Sequence, residues 1–294
     1  VKIGVTLPQF TADPDRFMSG VERVEGMGFD SMWLFDHLWP LGGKRERPIL
    51  ESWTSLGFIA EATTDADIGT LVTRASLRHP AILAKMAATV GSIAPGRLTV
   101  ALGSGDHLNR PENEAFGAPF FREAERAPQL VSTLETVARY LKTGSVTLHD
   151  DFVDIEELPA SPRTDVGPRV WLGGRSVEVL EAAGRIADGW NGWGANLETF
   201  AADARKVTAL AGTRPFEVSW AGQVILADDD AKARERLGDR DPTQFVVGSP
   251  ETVRTALTSA ITAGATHLIV ALPDAGDVGA YEHLAASVEP LRTA

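Results

Sequence analysis

Asp36 and His37 directly follow the apolar run Ser31–Phe35, and an imidazole there can hydrogen-bond to bound substrate or exchange a proton with it near neutral pH. By residue type alone, the pair reads equally as an orienting or capping carboxylate beside a structural core imidazole. Thr70-Leu71-Val72-Thr73 closes a second run. Gly103-Ser104-Gly105-Asp106-His107 closes a third, where glycines let a backbone approach a flat ligand and Asp106 or His107 offers acid–base capacity; a flexible turn would carry the same residues. Gly173-Gly174-Arg175-Ser176 precedes a helix beginning near Val177. Unpaired N–H groups at a helix start attract phosphate and Arg175 adds a planar cationic fork, although a Gly-Gly turn also serves simple chain reversal. Trp39 and Trp193, flanked by Pro and Gly, suit a wall beside a planar ring system.

Other chemistries lack their residues. The chain has no Cys, and its six His, at 37, 79, 107, 149, 267 and 283, fall at no i,i+3 or i,i+4 spacing, so no metal site is expected. Neither a Gly-x-Ser-x-Gly nucleophile elbow nor a Gly-x-x-x-x-Gly-Lys-Ser/Thr phosphate loop occurs. No Lys closes an apolar run where a Schiff base would form, which sets aside aldolase-type chemistry.

The elements that must position these residues alternate from end to end. Strands are expected at Lys2–Leu7, Ser31–Phe35, Ala66–Val72, Leu98–Leu102, Val170–Leu172, Gly189–Asn191, Glu217–Leu226 and His267–Ala271, with helices between them. Asp13-Pro14 opens the first helix and Gly28 closes it; His79-Pro80 opens the third. A polar loop is expected through Pro111 to Pro119, followed by a long helix to about Thr143. Two further helices are expected at about Ala231–Leu237 and Pro250–Ala263, the latter entered through Ser249 as N-cap with Pro250 at the first helical position. Residues 144–168 read as a hairpin and loop inserted before the fifth strand. Eight strands with interleaved helices favour a closed (β/α)8 TIM barrel over an open sheet, with residues 1–294 as one domain. In such a barrel reactive groups sit just past the strand ends, where Asp36-His37, Thr73, Gly103–His107 and Gly173–Ser176 fall.

Composition narrows the partners. The 44% hydrophobic and 23% charged residues of this 294-residue chain are enough to bury a sizeable core. A net charge of −12 argues against general affinity for nucleic acid or anionic membrane, and an anionic ligand would need a local basic pocket. No run approaches 18 apolar residues and the N-terminus enters a strand with no leader, so a soluble cytoplasmic protein acting on a small molecule is expected.

In order and spacing these segments resemble the bacterial luciferase-like superfamily of (β/α)8 oxidoreductases, over nearly the whole chain. The residues concerned are Lys2-Ile3-Gly4-Val5, Gly28-Phe29-Asp30-Ser31-Met32-Trp33, Asp36-His37, Gly69-Thr70-Leu71-Val72-Thr73 and Arg78-His79-Pro80-Ala81. Gly96-Arg97-Leu98, Leu102-Gly103-Ser104-Gly105, Trp171-Leu172-Gly173-Gly174 and Ala187-Asp188-Gly189-Trp190-Asn191 continue the series. Within the superfamily the chain is most similar to the branch that uses the deazaflavin coenzyme F420. The resemblance implies that His37, beside Asp36, faces the reactive edge of the ring. It also implies a bulge with a non-prolyl cis peptide within Thr70-Leu71-Val72 under that ring, and cofactor contacts from Gly103, Ser104 and Gly105. Asp106 stands where the sugar-phosphate dehydrogenase branch has a Glu that acts as acid, and Gly173, Gly174, Arg175 and Ser176 stand where the family anchors phosphate. The basic pair that holds glucose phosphate in that branch has no counterpart here.

The implied enzyme moves hydride between C5 of coenzyme F420 and an organic substrate. An FMN-dependent monooxygenase on the same scaffold and a noncatalytic flavin-binding protein share nearly every motif quoted. A homodimer is compatible with the family. Because the F420 tail carries a phosphate and glutamates, a locally basic mouth is expected, from Arg74, Arg78, Arg110 and Arg175.

Overall fold

A computed structural model describes residues 1–40, 45–194, 196–273 and 278–292. The elements run β1 (Lys2–Thr6), α1 (Pro14–Gly26), β2 (Ser31–Leu34), α2 (Ser52–Ala62), β3 (Asp67–Arg74), α3 (Pro80–Ile93) and β4 (Leu98–Gly103). A 3-10 turn at His107–Asn109 leads into α4 (Arg110–Ala115), α5 (Glu123–Lys142), β5 (Ser145–His149), β6 (Asp154–Pro159) and β7 (Arg169–Gly173). Then come α6 (Val177–Ile186), β8 (Gly189–Trp193), α7 (Leu197–Ala211), β9 (Glu217–Leu226) and α8 (Asp230–Leu237). Last are β10 (Phe245–Gly248), α9 (Pro250–Thr262), β11 (His267–Ala271) and α10 (Val278–Val288).

All eight expected strands enter one parallel barrel in the order β9-β11-β1-β2-β3-β4-β7-β8, which the β8–β9 pairing closes. Local rules set the helix starts. Asp13 caps α1 by accepting from the N–H groups of Asp15 and Arg16, Pro14 takes the first turn, and Phe17, Gly20, Val21 and Val24 face inward at helical spacing. Ser249 caps α9 in the same way, with Pro250 behind it. The hairpin expected within residues 144–168 forms as the antiparallel pair β5–β6, outside the barrel sheet. Among the described residues, no helix is long and apolar enough to cross a membrane.

Two expectations need correction. Phe245–Gly248 is a short strand, β10, pairing with the C-terminal half of β9 from Gln223 to Leu226, and not merely a connection to α9. Four residues are too few for a period to show. The stretch expected as a polar loop contains α4, whose Glu112 and Asn113 are fully buried. A helix that buries polar side chains carries no apolar stripe for a sequence reading to find.

The barrel interior is graded along its axis. Near the N-terminal end the Trp33 and Trp171 rings pack 5.2 Å apart, and His267 sets its edge against both. Glycine makes the room: a Cβ on Gly69 would lie 2.7 Å from the Trp33 ring and one on Gly189 2.6 Å from Trp171 Nε1. Beneath the indoles lies a ring of charges, with Lys2 Nζ 2.7 Å from Glu217 and 3.2 Å from Asp67, and Arg169 2.8 Å from Asp67. Above the indoles Ala101 and Ala221 pack in the same cluster, and β4 and β7 end on the glycines Gly103 and Gly173.

Candidate active site

The stretch after β2 is braced on three sides. Gln9, buried in the loop after β1, donates through Nε2 to Phe35 O at 2.9 Å and accepts the Phe35 N–H at 2.6 Å. Asp36 is buried and receives both Nη atoms of Arg78, at 2.7 and 3.0 Å, together with Ser52 Oγ at 2.8 Å and the Arg74 N–H at 3.0 Å. Arg74 Nε donates back to Asp36 O at 3.0 Å, so the end of β3 and the His37 loop form one unit.

His37 rests on a carboxylate that sequence reasoning missed. Its Nδ1 lies 3.2 Å from Glu112 Oε2, while Glu112 Oε1 accepts from the N–H of Leu38 and, at 3.1 Å, from that of Trp39. Arg74 Nη2 stands 2.9 Å from Oε2, in ion-pair contact without hydrogen-bond alignment. Burial pushes the Glu112 carboxyl up, but hydrogen bonds from His37 and Leu38 and the charge of Arg74 outweigh it and hold the group below the usual carboxylate range. His37 keeps 17% of its side chain exposed, and its Nε2 makes no hydrogen bond among the described residues. It can therefore still act on a ligand.

Next to this unit β3 breaks register with β4 between Thr70 and Thr73, and the Leu71–Val72 peptide is cis, as expected for the Thr70–Val72 stretch. The bulge turns Leu71 and Val72 into the barrel. Val72 sits between two strands because they carry glycine there: a Cβ on Gly103 would lie 2.4 Å from Val72 Cγ2 and one on Gly173 3.2 Å from Val72 Cγ1. The result is an apolar step at the C-terminal ends of β4 and β7. Thr70, expected to contact a cofactor, instead points to the helix layer: its hydroxyl bonds to Thr73 Oγ1 at 2.6 Å, and that oxygen accepts Trp53 Nε1 from α2.

On the far side of the step, residues 174–178 are exposed at the start of α6, where Ser176 is the N-cap accepting the Val179 N–H. Helix starts leave N–H groups without intrahelical partners, so this turn can take an anion. Arg175 uses Nε on Asp203 of α7 at 2.9 Å, and its two Nη groups make no hydrogen bond among the described residues. Trp193, 41% exposed, closes β8 and packs edge-on against Phe35 with centroids 5.8 Å apart. Three strands separate β8 from β2 either way round the barrel, so this contact spans the mouth. The arc β3-β4-β7 on one side of it holds the step and both glycines.

Three further expectations change in the structure. Asp36 has both oxygens engaged and no exposure, so it holds the loop and the Arg78 guanidinium and has no face toward a substrate. The expected basic mouth is largely neutralised, because Arg74 is buried against Glu112, Arg78 is clamped by Asp36 and Glu51, and exposed Arg110 pairs with Glu114. Arg45 and Arg47, not singled out from sequence, lie over the rings of Trp39 and Phe10 at 4.6 and 5.9 Å. Asp106 is exposed but caps the 3-10 turn, accepting the Leu108 N–H at 2.8 Å through Oδ1, while the Asp106 N–H donates to Asn109 Oδ1 at 2.8 Å. Gly105 must be glycine for that turn, since its φ is +69° and a Cβ would lie 2.7 Å from Asn109 Oδ1. Ser104 bonds locally to Gly105 O. The sequence does carry one signal for Glu112: a carboxylate within a turn of Pro111, just beyond a glycine-rich strand end.

The profile of the luciferase-like monooxygenase family matches residues 2–267. The F420-dependent glucose-6-phosphate dehydrogenase of Kineococcus radiotolerans is 24% identical, over 99% of this chain and 97% of its own. The F420-dependent hydroxymycolic acid dehydrogenase of Mycobacterium tuberculosis is 25% identical, over 81% of this chain and 66% of its own. Among solved structures, an F420-dependent secondary alcohol dehydrogenase in complex with an F420–acetone adduct superposes with a TM-score of 0.83 at 21% identity, over 98% of each chain.

Proposed function

The chain belongs to the luciferase-like monooxygenase family, and on that premise we propose that it is a coenzyme F420-dependent oxidoreductase acting on a small organic alcohol or its carbonyl partner. Two relatives and a structural neighbour whose names carry F420-dependent dehydrogenase activity support the choice of coenzyme. The observation that carries the reading is the juxtaposition of an apolar step at Val72, seated between Gly103 and Gly173, with an imidazole whose outer nitrogen is free.

These residues fit a deazaflavin. A flat ring can lie on Leu71 and Val72 within the β3-β4-β7 arc, with the Phe35–Trp193 pair at its margin. The exposed turn Gly174, Arg175 and Ser176, following buried Gly173, would hold the tail phosphate through the α6 N–H groups and the free Nη groups of Arg175. When bound, the coenzyme supplies a ring carbon that accepts or returns hydride. His37 Nε2 would take the hydroxyl proton of an alcohol substrate, or return it to the carbonyl oxygen in the reverse direction. The Asp36–Arg78–Arg74 bracing keeps that nitrogen in place, and Trp39 and Trp193 limit water at the mouth. Asp106, exposed and engaged as the cap of the 3-10 turn, stands at the end of β4 without a shown role in proton transfer.

Titration of the apo-protein with coenzyme F420 and with FMN, followed by turnover with and without oxygen, tests the reading. Tighter F420 binding with turnover that needs no oxygen is expected. Tighter FMN binding with oxygen-dependent product would instead favour a monooxygenase, and binding without turnover on any alcohol or carbonyl would favour a storage protein.

A further inference from the structure

We infer that Glu112 is a positioning residue that dictates which nitrogen of neutral His37 carries the proton, placing it on Nδ1 and leaving the partly exposed ring with Nε2 as an acceptor. The inference deepens the reading of His37 as the proton-handling group and rests on it for its consequence in turnover. Its primary test requires no coenzyme.

Glu112 lies on α4, 75 residues beyond His37, and is completely buried. Its surroundings keep it ionised at neutral pH: His37 and the Leu38 N–H bond to it, and the Arg74 guanidinium lies against Oε2. An ionised carboxylate only accepts, so the His37 Nδ1 beside it must be the donor. A neutral imidazole has one N–H, and Nε2 is then bare. The carboxylate cannot swing away, because Oε1 is held by the N–H groups of Leu38 and Trp39. Arg74 cannot leave either, since Nε is fixed on Asp36 O and Nη1 on Asn113 Oδ1 at 2.9 Å. The other charges packed on this unit, Asp36, Arg78 and Glu51, are paired with one another, so Glu112 is the carboxylate left to His37.

A purely structural role would need an acceptor for the two backbone N–H groups and a counter-charge for Arg74, and neither depends on which His37 nitrogen carries the proton. Glu112→Gln separates the two roles. The amide oxygen can keep Leu38 and Trp39, but the amide NH2 then faces Nδ1 as a donor, and a neutral ring must answer with Nδ1 bare and Nε2 protonated.

The measurement is the tautomer of His37 in protein labelled with 15N-histidine, without coenzyme, read from two-bond proton–nitrogen spectra at a pH of about 9, above the ordinary imidazole range. The resonances of His37 are identified by their loss in His37→Gln. The expected result is a protonated Nδ1 in the natural protein and a protonated Nε2 in Glu112→Gln. A natural protein with Nε2 protonated overturns the inference, and so does a folded Glu112→Gln with the ring unchanged. Should that variant fail to fold, the natural protein's tautomer alone decides. With coenzyme and an alcohol, Glu112→Gln should lose at least about tenfold in kcat with coenzyme affinity changed by less than about twofold, because a ring presenting N–H cannot accept the hydroxyl proton. A reversed tautomer with unchanged kcat would overturn the role in turnover. Absence of any F420 turnover in the natural protein would overturn the functional reading and leave the tautomer result standing.

Discussion

The two ends of this barrel use the same residue types to opposite purpose. At the N-terminal end His267 is buried, bonds through Nε2 to Ser31 Oγ at 2.7 Å, and has Glu217 3.9 Å from its other nitrogen. At the C-terminal end His37 also has a Glu on one nitrogen, yet the second nitrogen is free and partly exposed. The first arrangement is closed over by two indoles and can only hold strands together. The second keeps part of its ring exposed beside the paired charges of Glu112 and Arg74, and can act on a ligand. What separates scaffold from reactive group here is one free, partly exposed nitrogen.

Substitutions that cross this boundary should have effects of different kinds. The largest expected is Trp171→Ala, which empties the filled end and should cost about 3–5 kcal/mol of stability in a denaturant melt. A loss below about 1 kcal/mol would mean the filled end does not carry the barrel. Next comes His37→Ala, expected to reduce hydride transfer by about a hundredfold, or roughly 3 kcal/mol of barrier, with little change in melting temperature. Equal loss of stability and activity would make the two histidines alike and break the contrast.

A smaller effect belongs to Glu217. Burial pushes its carboxyl up, but His267 and the Lys2 hydrogen bond prevail and hold it at about 2, against an ordinary value near 4.5. Since the folded-state value is depressed, its contribution is present above the ordinary value and is lost as pH falls toward 2. Glu217→Gln should therefore lose about 2 kcal/mol at pH 7 and flatten the acid limb of a stability profile, while coenzyme binding is untouched. An unchanged acid limb would remove the pairing from the account of that end.

The smallest expected effect tests how far the open end extends. Arg175→Ala should weaken F420 binding by about tenfold, roughly 1.4 kcal/mol, and should spare a ring fragment lacking the phosphate. Because Arg74 and Arg78 are already paired, most of the salt dependence of binding should vanish with Arg175. Equal loss for coenzyme and fragment would move Arg175 out of the phosphate site.

Much of this was legible in the residues themselves. All eight barrel strands are short apolar runs bounded by turn residues, Asp13-Pro14 and Ser249-Pro250 mark helix starts, and the glycines at 103, 173 and 174 mark where the chain must yield space. Those signals are local, since periodicity, capping and missing side chains act within a few residues. The tertiary structure alone decided the partners. It sent Thr70 outward, enclosed Arg74 and Arg78 among carboxylates, brought Trp193 across to Phe35 and set Glu112 under His37. Each of those contacts joins residues on different elements, and a charged residue near a strand end looks the same in sequence whether it meets solvent or a buried opposite charge. A carboxylate on a six-residue polar helix has no period to betray its burial, so only the folded barrel, by bringing β2, β3 and α4 to one edge, gives His37 its orientation.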